Sequence, residues 1–224
     1  MLFNELQIKN LKLHNRTVLA PMCMYMADES GEAEAFHISH YSSRAIGKIA
    51  LVIQEATAID PDGRISPKDL GIWCETHVSG LRAIVEEVHN SGAAMGIQIN
   101  HAGRKASCDH PIAPSAIRFS EKYKVPKEMT IKDIEKVIDD FKQAARRANL
   151  VGYDYLEIHA AHGYLLCEFL SPNTNQRTDA YGDRTKLIKE VVKAVREEWP
   201  EEKPLGARFS AFEYATKGIT PEWL

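Results

Sequence analysis

Short, nearly continuous apolar runs recur along the chain, and between them apolar residues fall at every third or fourth position. The runs are residues 17–20 (TVLA), 49–54 (IALVIQ), 94–99 (AMGIQI), 155–159 (YLEIH) and 205–210 (LGARFS). Runs this short and this apolar predict parallel strands covered on both faces. Leu81, Ile84, Val85 and Val88 share one helical face. Ile131, Ile134, Val137, Ile138, Phe141 and Ala145 share another, and Leu187, Ile188, Val191, Val192 and Val195 a third. Thr130, with Asp133 one turn on, predicts a capping box at the start of the second of these helices. Strand followed by helix, repeated in order, predicts an α/β fold with a parallel sheet. Two connections, residues 101–127 and 160–182, are long. Both leave the C-terminal ends of strands, where barrel enzymes build their sites.

Polar residues gather at those same ends. Cys23 and Tyr25 follow the first strand, Gln54, Glu55 and Ala56 the second, and His159, His162 and Tyr164 the fourth, while Gln98 and Arg208 lie within the third and fifth. Two imidazoles three residues apart can converge on one small polar atom and donate hydrogen bonds to a carbonyl or oxyanion. A phenol beside them can deliver a proton. A metal is a second reading of the histidine pair, although it lacks a clear third ligand. A third is plain packing, with His159 on the wall and Tyr164 in the core. Gln98 in an apolar strand requires hydrogen-bond partners, either another side chain or the edge of a heterocycle. Arg208 requires a partner too. Glu157 and Glu213 are candidates, as is an electron-rich cofactor whose anionic reduced form a guanidinium would stabilise.

Composition narrows the field. The 224 residues are 44% hydrophobic and 26% charged, as expected of a globular domain with a sizeable core. A net charge of −3 without runs of like charge gives no reason to expect a nucleic-acid partner. The N-terminus has neither signal-peptide order nor the apolar length of a membrane span, so a cytoplasmic protein with no membrane partner is expected. Cys23, Cys74, Cys108 and Cys167 are far apart and form no CxxC pair, so neither a structural metal nor a disulfide framework is expected. GxGxxG and GxxxxGK[ST] motifs are both missing, which disfavours a Rossmann site and a P-loop.

APMCMY (20–25), GIQINHAGRK (96–105), EIHAAHGY (157–164), EFLSP (168–172) and NQRTDAYG (175–182) together resemble the Old Yellow Enzyme family. The likeness is greatest to its short bacterial branch of NADPH dehydrogenase-like ene-reductases, and it runs from Leu2 to Gly218. The resemblance implies a TIM (β/α)8 barrel with non-covalent FMN at its top. Ala20, Pro21, Met22 and Cys23 would line the flavin, with Cys23 tuning its potential. Ala56 would touch the ring through its backbone, Gln98 would bond the pyrimidine edge, and Arg208 would lie near the pyrimidine end. His159 and His162 would hold the substrate carbonyl, Tyr25 would help position the substrate, and Tyr164 would be the proton donor. In that scheme NADPH or NADH reduces FMN and leaves. The flavin then gives hydride to the β-carbon of an enone while Tyr164 protonates the α-carbon.

The same resemblance implies eight strands, of which five are counted here. The expectation is a single FMN-binding domain over residues 1–224, holding about the first five βα units and incomplete at its C-terminus. The strands that form the family's phosphate site would then be missing. The family also continues after Tyr181-Gly182 with a second glycine and a longer segment, whereas this chain proceeds to Asp183-Arg184-Thr185, so the next helix is expected to start elsewhere. One reading is an ene-reductase, completed by a homo-oligomer or a complementing chain. The alternative is a catalytically inactive remnant or assembly partner without flavin. Iron–sulfur relatives of the dienoyl-CoA reductase type are discounted, because no cysteine cluster is present.

Overall fold

The computed structural model describes residues 1–222. Trp223 and Leu224, which the single-domain expectation includes, lie outside the described residues. The chain opens with an antiparallel hairpin, β1 (Leu6–Ile8) and β2 (Leu11–Leu13), and continues through β3 (Val18–Leu19), α1 (Ala35–Ile46), β4 (Leu51–Ala58), α2 (His77–Asn90) and β5 (Ala94–Asn100). A small parallel pair, β6 (Ile112–Ala113) and β7 (Lys127–Glu128), occupies the first long connection. Next come α3 (Ile131–Val151), β8 (Tyr155–Ala160), α4 (Leu165–Leu170), α5 (Lys186–Glu198) and β9 (Leu205–Phe209).

Among the described residues, β3, β4, β5, β8 and β9 form one sheet in that spatial order, with every neighbour parallel. Sequential parallel strands with helices between them are the expected first five units of a TIM barrel. β3 and β9 each keep one edge without a strand partner among the described residues.

Strand alternation sorts the side chains. Val52, Met95, Ile97, Ile99, Leu156 and Ile158 face the helices and join Leu81, Ile84, Phe141 and Val191 in one core. The intervening residues face inward. At the base, Leu11 and Leu13 of the hairpin pack on Leu51 and Ile53, with Ala94 and Tyr155 beside them, and so plug the inner space. α3 begins with the expected capping box: Asp133 N–H donates to Thr130 Oγ1 at 3.2 Å, and Thr130 N–H to Asp133 Oδ2 at 2.8 Å. It ends at Gly152, whose φ of 105° is left-handed and favours glycine.

Two features depart from the sequence pattern. β4 continues to Ala58 rather than ending at Gln54, because its polar residues find partners inside the fold. Gln54 Oε1 accepts the Tyr153 hydroxyl at 2.6 Å, and its amide donates to Thr57 Oγ1 at 2.9 Å. α1 escapes the apolar pattern because its buried face is His37, Tyr41, Ser42 and Ala45, which is mostly polar.

Between the plug and the upper layers lies Tyr155. A Cβ on Gly206 would stand 1.9 Å from the Tyr155 hydroxyl oxygen, and one on Gly96 would stand 2.9 Å from its ring. The ring therefore fills space that both glycines leave open. Gly206→Ala is expected to destabilise the protein by about 1–3 kcal/mol, as overpacking does. Adding Tyr155→Phe should recover part of that loss, which is read as non-additivity in urea unfolding; strict additivity would mean that the tyrosine is not the obstacle.

Candidate active site

Above Tyr155 the inner face turns polar. β5 presents Gln98 and Asn100, β8 presents Glu157 and His159, and β9 presents Arg208, which pairs in register with His159. Gln98 is buried and donates its amide to Glu157 Oε1 at 2.7 Å, while the Tyr155 hydroxyl reaches Glu157 Oε2 at 3.2 Å. Glu157 is thereby engaged by neighbours other than Arg208. Glu213 is engaged as well, taking the Ser171 hydroxyl at 2.7 Å and the Ile219 N–H at 3.0 Å. Neither carboxylate pairs with Arg208.

The histidine pair is built by the turn after β8. His162 (φ 58°) and Gly163 (φ 67°) are both left-handed, which bends the chain back over the end of the strand. His162 N–H donates to Ser210 Oγ at 2.8 Å, and its carbonyl accepts Lys105 Nζ at 2.7 Å. His159 Nδ1 accepts the Ala161 N–H at 3.2 Å. The proton of a neutral His159 must then sit on Nε2, which lies 3.2 Å from His162 Nδ1. His162 in turn accepts through Nδ1 and keeps its Nε2–H free to donate. Burial, with His162, Arg208 and Lys105 nearby, holds His159 down to about 3. Burial and the same two cations lower His162. Both rings are therefore neutral donors at ordinary pH. Tyr164 packs edge-on to His159 with ring centroids 5.0 Å apart, and burial, chiefly, pushes its phenol well above the usual value. A phenol so raised stays protonated and available to give its proton.

The third group lies across the mouth. The Cys23 thiol adjoins the Tyr25 hydroxyl and the backbone of Ala56. Burial first, then the charges of Asp69 and Glu55, push its thiol up to about 12. It is a neutral thiol rather than a thiolate nucleophile. Tyr25 is raised to about 12, again mainly by burial, and sits at φ 56°. Ala20 and Met22 are exposed on the same loop, with Pro21 between them half-buried.

The structure thus gathers His159, His162 and Tyr164 into one cluster and joins Cys23 to Tyr25 and Ala56. Gln98 and Arg208 lie on the inner face. Several neighbours were assigned no role from the sequence. Lys105 spans the two long loops. Buried Asp69 accepts the Ile65 and Ser66 N–H groups and is raised to about 7 by burial. Glu168, raised to about 8 by burial, accepts the Arg104 N–H. A buried acid beside Gly103, where a Cβ would meet its carboxylate at 2.5 Å, has no local sequence signal.

The inner face also offers a test of the flavin expectation. Asn100 Oδ1 is buried without a hydrogen-bond partner, and Arg208 carries a charge that no acid among the described residues neutralises. An acceptor in need of a donor on β5, and a cation in need of electron density two strands away on β9, suit the two sides of an electron-rich heteroaromatic ring. The residues present fit such a group.

The NADH:flavin oxidoreductase / NADH oxidase family model matches residues 1–222. An NADPH dehydrogenase of Clostridium acetobutylicum is 50% identical over 227 residues, covering 98% of this chain and 67% of that protein. Among solved structures, morphinone reductase in complex with tetrahydroNAD superposes with a TM-score of 0.87 at 32% identity, covering 99% of this chain and 67% of that one. Old Yellow Enzyme from Pichia sp. gives a TM-score of 0.90 at 31% identity, covering 95% and 60%. The chain spans about two thirds of the length of the curated relatives it matches. With the parallel half-barrel and the inward polar cluster already in place, the match over residues 1–222 settles the lineage: the chain belongs to the NADH:flavin oxidoreductase / NADH oxidase family.

Proposed function

We propose that this chain provides the flavin-facing and substrate-facing part of an FMN-dependent NADPH oxidoreductase that reduces the C=C bond of α,β-unsaturated carbonyl compounds. The observation that carries this reading is the trio of His159, His162 and Tyr164. Two neutral imidazoles lie with Nε2 of one 3.2 Å from Nδ1 of the other, and a protonated phenol packs on the first. Bound FMN would supply the hydride after accepting one from NADPH. Relatives named NADPH dehydrogenase support that nicotinamide, and a morphinone reductase holding tetrahydroNAD supports nicotinamide binding more generally.

The chain's own residues have distinct tasks. His159 would turn its Nε2–H from His162 to the substrate carbonyl, and His162 would add its own Nε2–H. These bonds strengthen as enolate charge grows on that oxygen, so they favour the transition state over the ground state. Neutral donors suit the role, because they need not lose a proton. Tyr164 protonates the α-carbon from its hydroxyl. Gln98, with one amide N–H on Glu157, would offer the other N–H and its Oε1 to the pyrimidine edge of the ring. Arg208 would balance negative charge at that end. Cys23, with Ala20, Pro21, Met22 and the backbone of Ala56, would line the flavin, and Tyr25 would bound the substrate space.

The edges of β3 and β9, which have no strand partner among the described residues, support a second reading, in which the chain is an assembly partner that holds no flavin alone. The visible spectrum of the purified chain, taken after FMN is added and the excess removed, separates the two. A retained flavin spectrum is expected, and a colourless protein overturns FMN binding by this chain alone. His159→Ala should weaken phenol or enone binding by about 1–3 kcal/mol in titrations while flavin stays bound; unchanged affinity would remove that histidine from the substrate site. Tyr164→Phe should slow enone reduction by about 10²–10⁴-fold and spare flavin reduction by NADPH. Equal slowing of both half-reactions in stopped-flow traces would refute the proton-donor role.

A further inference from the structure

Beneath the loop that carries Cys23 and Tyr25 lies a carboxylate that the chemistry above does not use. Glu55 sits inside β4, where the register shifts between Gln54 and Ala56, and is 1% exposed. Met24 N–H donates to its Oε2 at 2.6 Å, and the Tyr25 amide adjoins the same carboxylate. From α1, the Tyr41 hydroxyl donates to Oε1 at 3.0 Å and in return accepts the Glu55 N–H at 3.0 Å. His37 Nδ1 accepts the Glu34 N–H at 3.0 Å, which leaves the ring proton on Nε2, 3.8 Å from Glu55 Oε1. That nitrogen is buried and has no hydrogen-bond partner.

Burying a carboxylate in an apolar strand is costly, and so is a left-handed tyrosine. Both costs fall at one point, where two consecutive loop amides meet one acid braced by a helix. Such strain persists only where the surroundings over-determine it. We propose that Glu55 is a positioning residue that holds Cys23 and Tyr25 in their orientation over the site, acting through the amides of Met24 and Tyr25. The inference rests on the reading of those two residues given under the proposed function. The groups facing Glu55 are His37 and Tyr41 from α1, Cys23 and Tyr25 from the loop, and Asp69 from the strap beyond β4. Burial raises Glu55, and its charge helps to keep the Cys23 thiol protonated.

The test is the rate of Cys23 alkylation by iodoacetamide against pH, read by peptide mass spectrometry on the flavin-free chain, with Cys167 as an internal control. Glu55→Gln keeps an acceptor for the Met24 N–H but removes the charge, so its profile should move to lower pH. Glu55→Ala removes the hold as well, and should raise the Cys23 rate at pH 9 by about tenfold over wild type and clearly above Glu55→Gln. The Cys167 rate should stay constant. An alanine profile that coincides with that of glutamine, or a Cys167 rate that rises in step, would overturn the proposal. Should the alanine variant not fold, Tyr41→Phe removes one brace and is expected to raise the Cys23 rate part-way; no change there would equally overturn it. FMN retention by the wild type is read separately, so loss of the flavin reading is distinguishable from loss of this one.

Discussion

Everything above the base of this fold depends on the two-residue period of its parallel strands. One set of side chains is given to the helices and must be aliphatic; the other is given to an inner space that no helix can fill. The inner set must therefore complete itself. It does so with a hairpin plug from below, a tyrosine accommodated by Gly96 and Gly206, and then a Gln98–Glu157 pair. From that pair upward there is room for polar groups with capacity left over. The site is thus the place where the inner face stops satisfying itself.

That leftover capacity has a consistent electrostatic sense. Arg208 and Lys105 stand near His159 and His162 and disfavour a further positive charge on either ring. On the other side, Glu55 and Asp69 stand near Cys23 and disfavour a thiolate. Each neighbour suppresses ionisation of the group it faces, so proton donors remain donors. A cleft arranged in this way is suited to moving hydrogen rather than to nucleophilic attack, and this physical argument agrees with the family's oxidoreductase character.

Much of this was legible in the chain itself. The strands around β5, β8 and β9 follow directly from apolar runs, and α3 from its period and its Thr130 cap. His159, His162 and Tyr164 were found together because they are local to one turn. What escaped is non-local. α1 buries His37 and Tyr41 because Glu55 waits beneath them, a fact that no window of sequence contains. β4 outruns its apolar run because Tyr153, far along the chain, completes Gln54. Arg208 was expected to find Glu157 or Glu213 as an alternative to a cofactor, yet both acids are claimed by other neighbours. In each case the deciding partner is distant in sequence and close in space.

The ammonium of Lys105 joins the loop after β5 to the carbonyl of His162, and it rests over the rings of Phe119 and Tyr164. A single flexible side chain therefore ties the loop that precedes it in the barrel to the turn that carries the histidines. Insertions or exchanges between residues 106 and 126 would pull on that turn through Lys105 without touching a reacting group. The length and packing of that loop can then set the posture of the histidine turn from a distance, by tension on one ammonium rather than by direct contact.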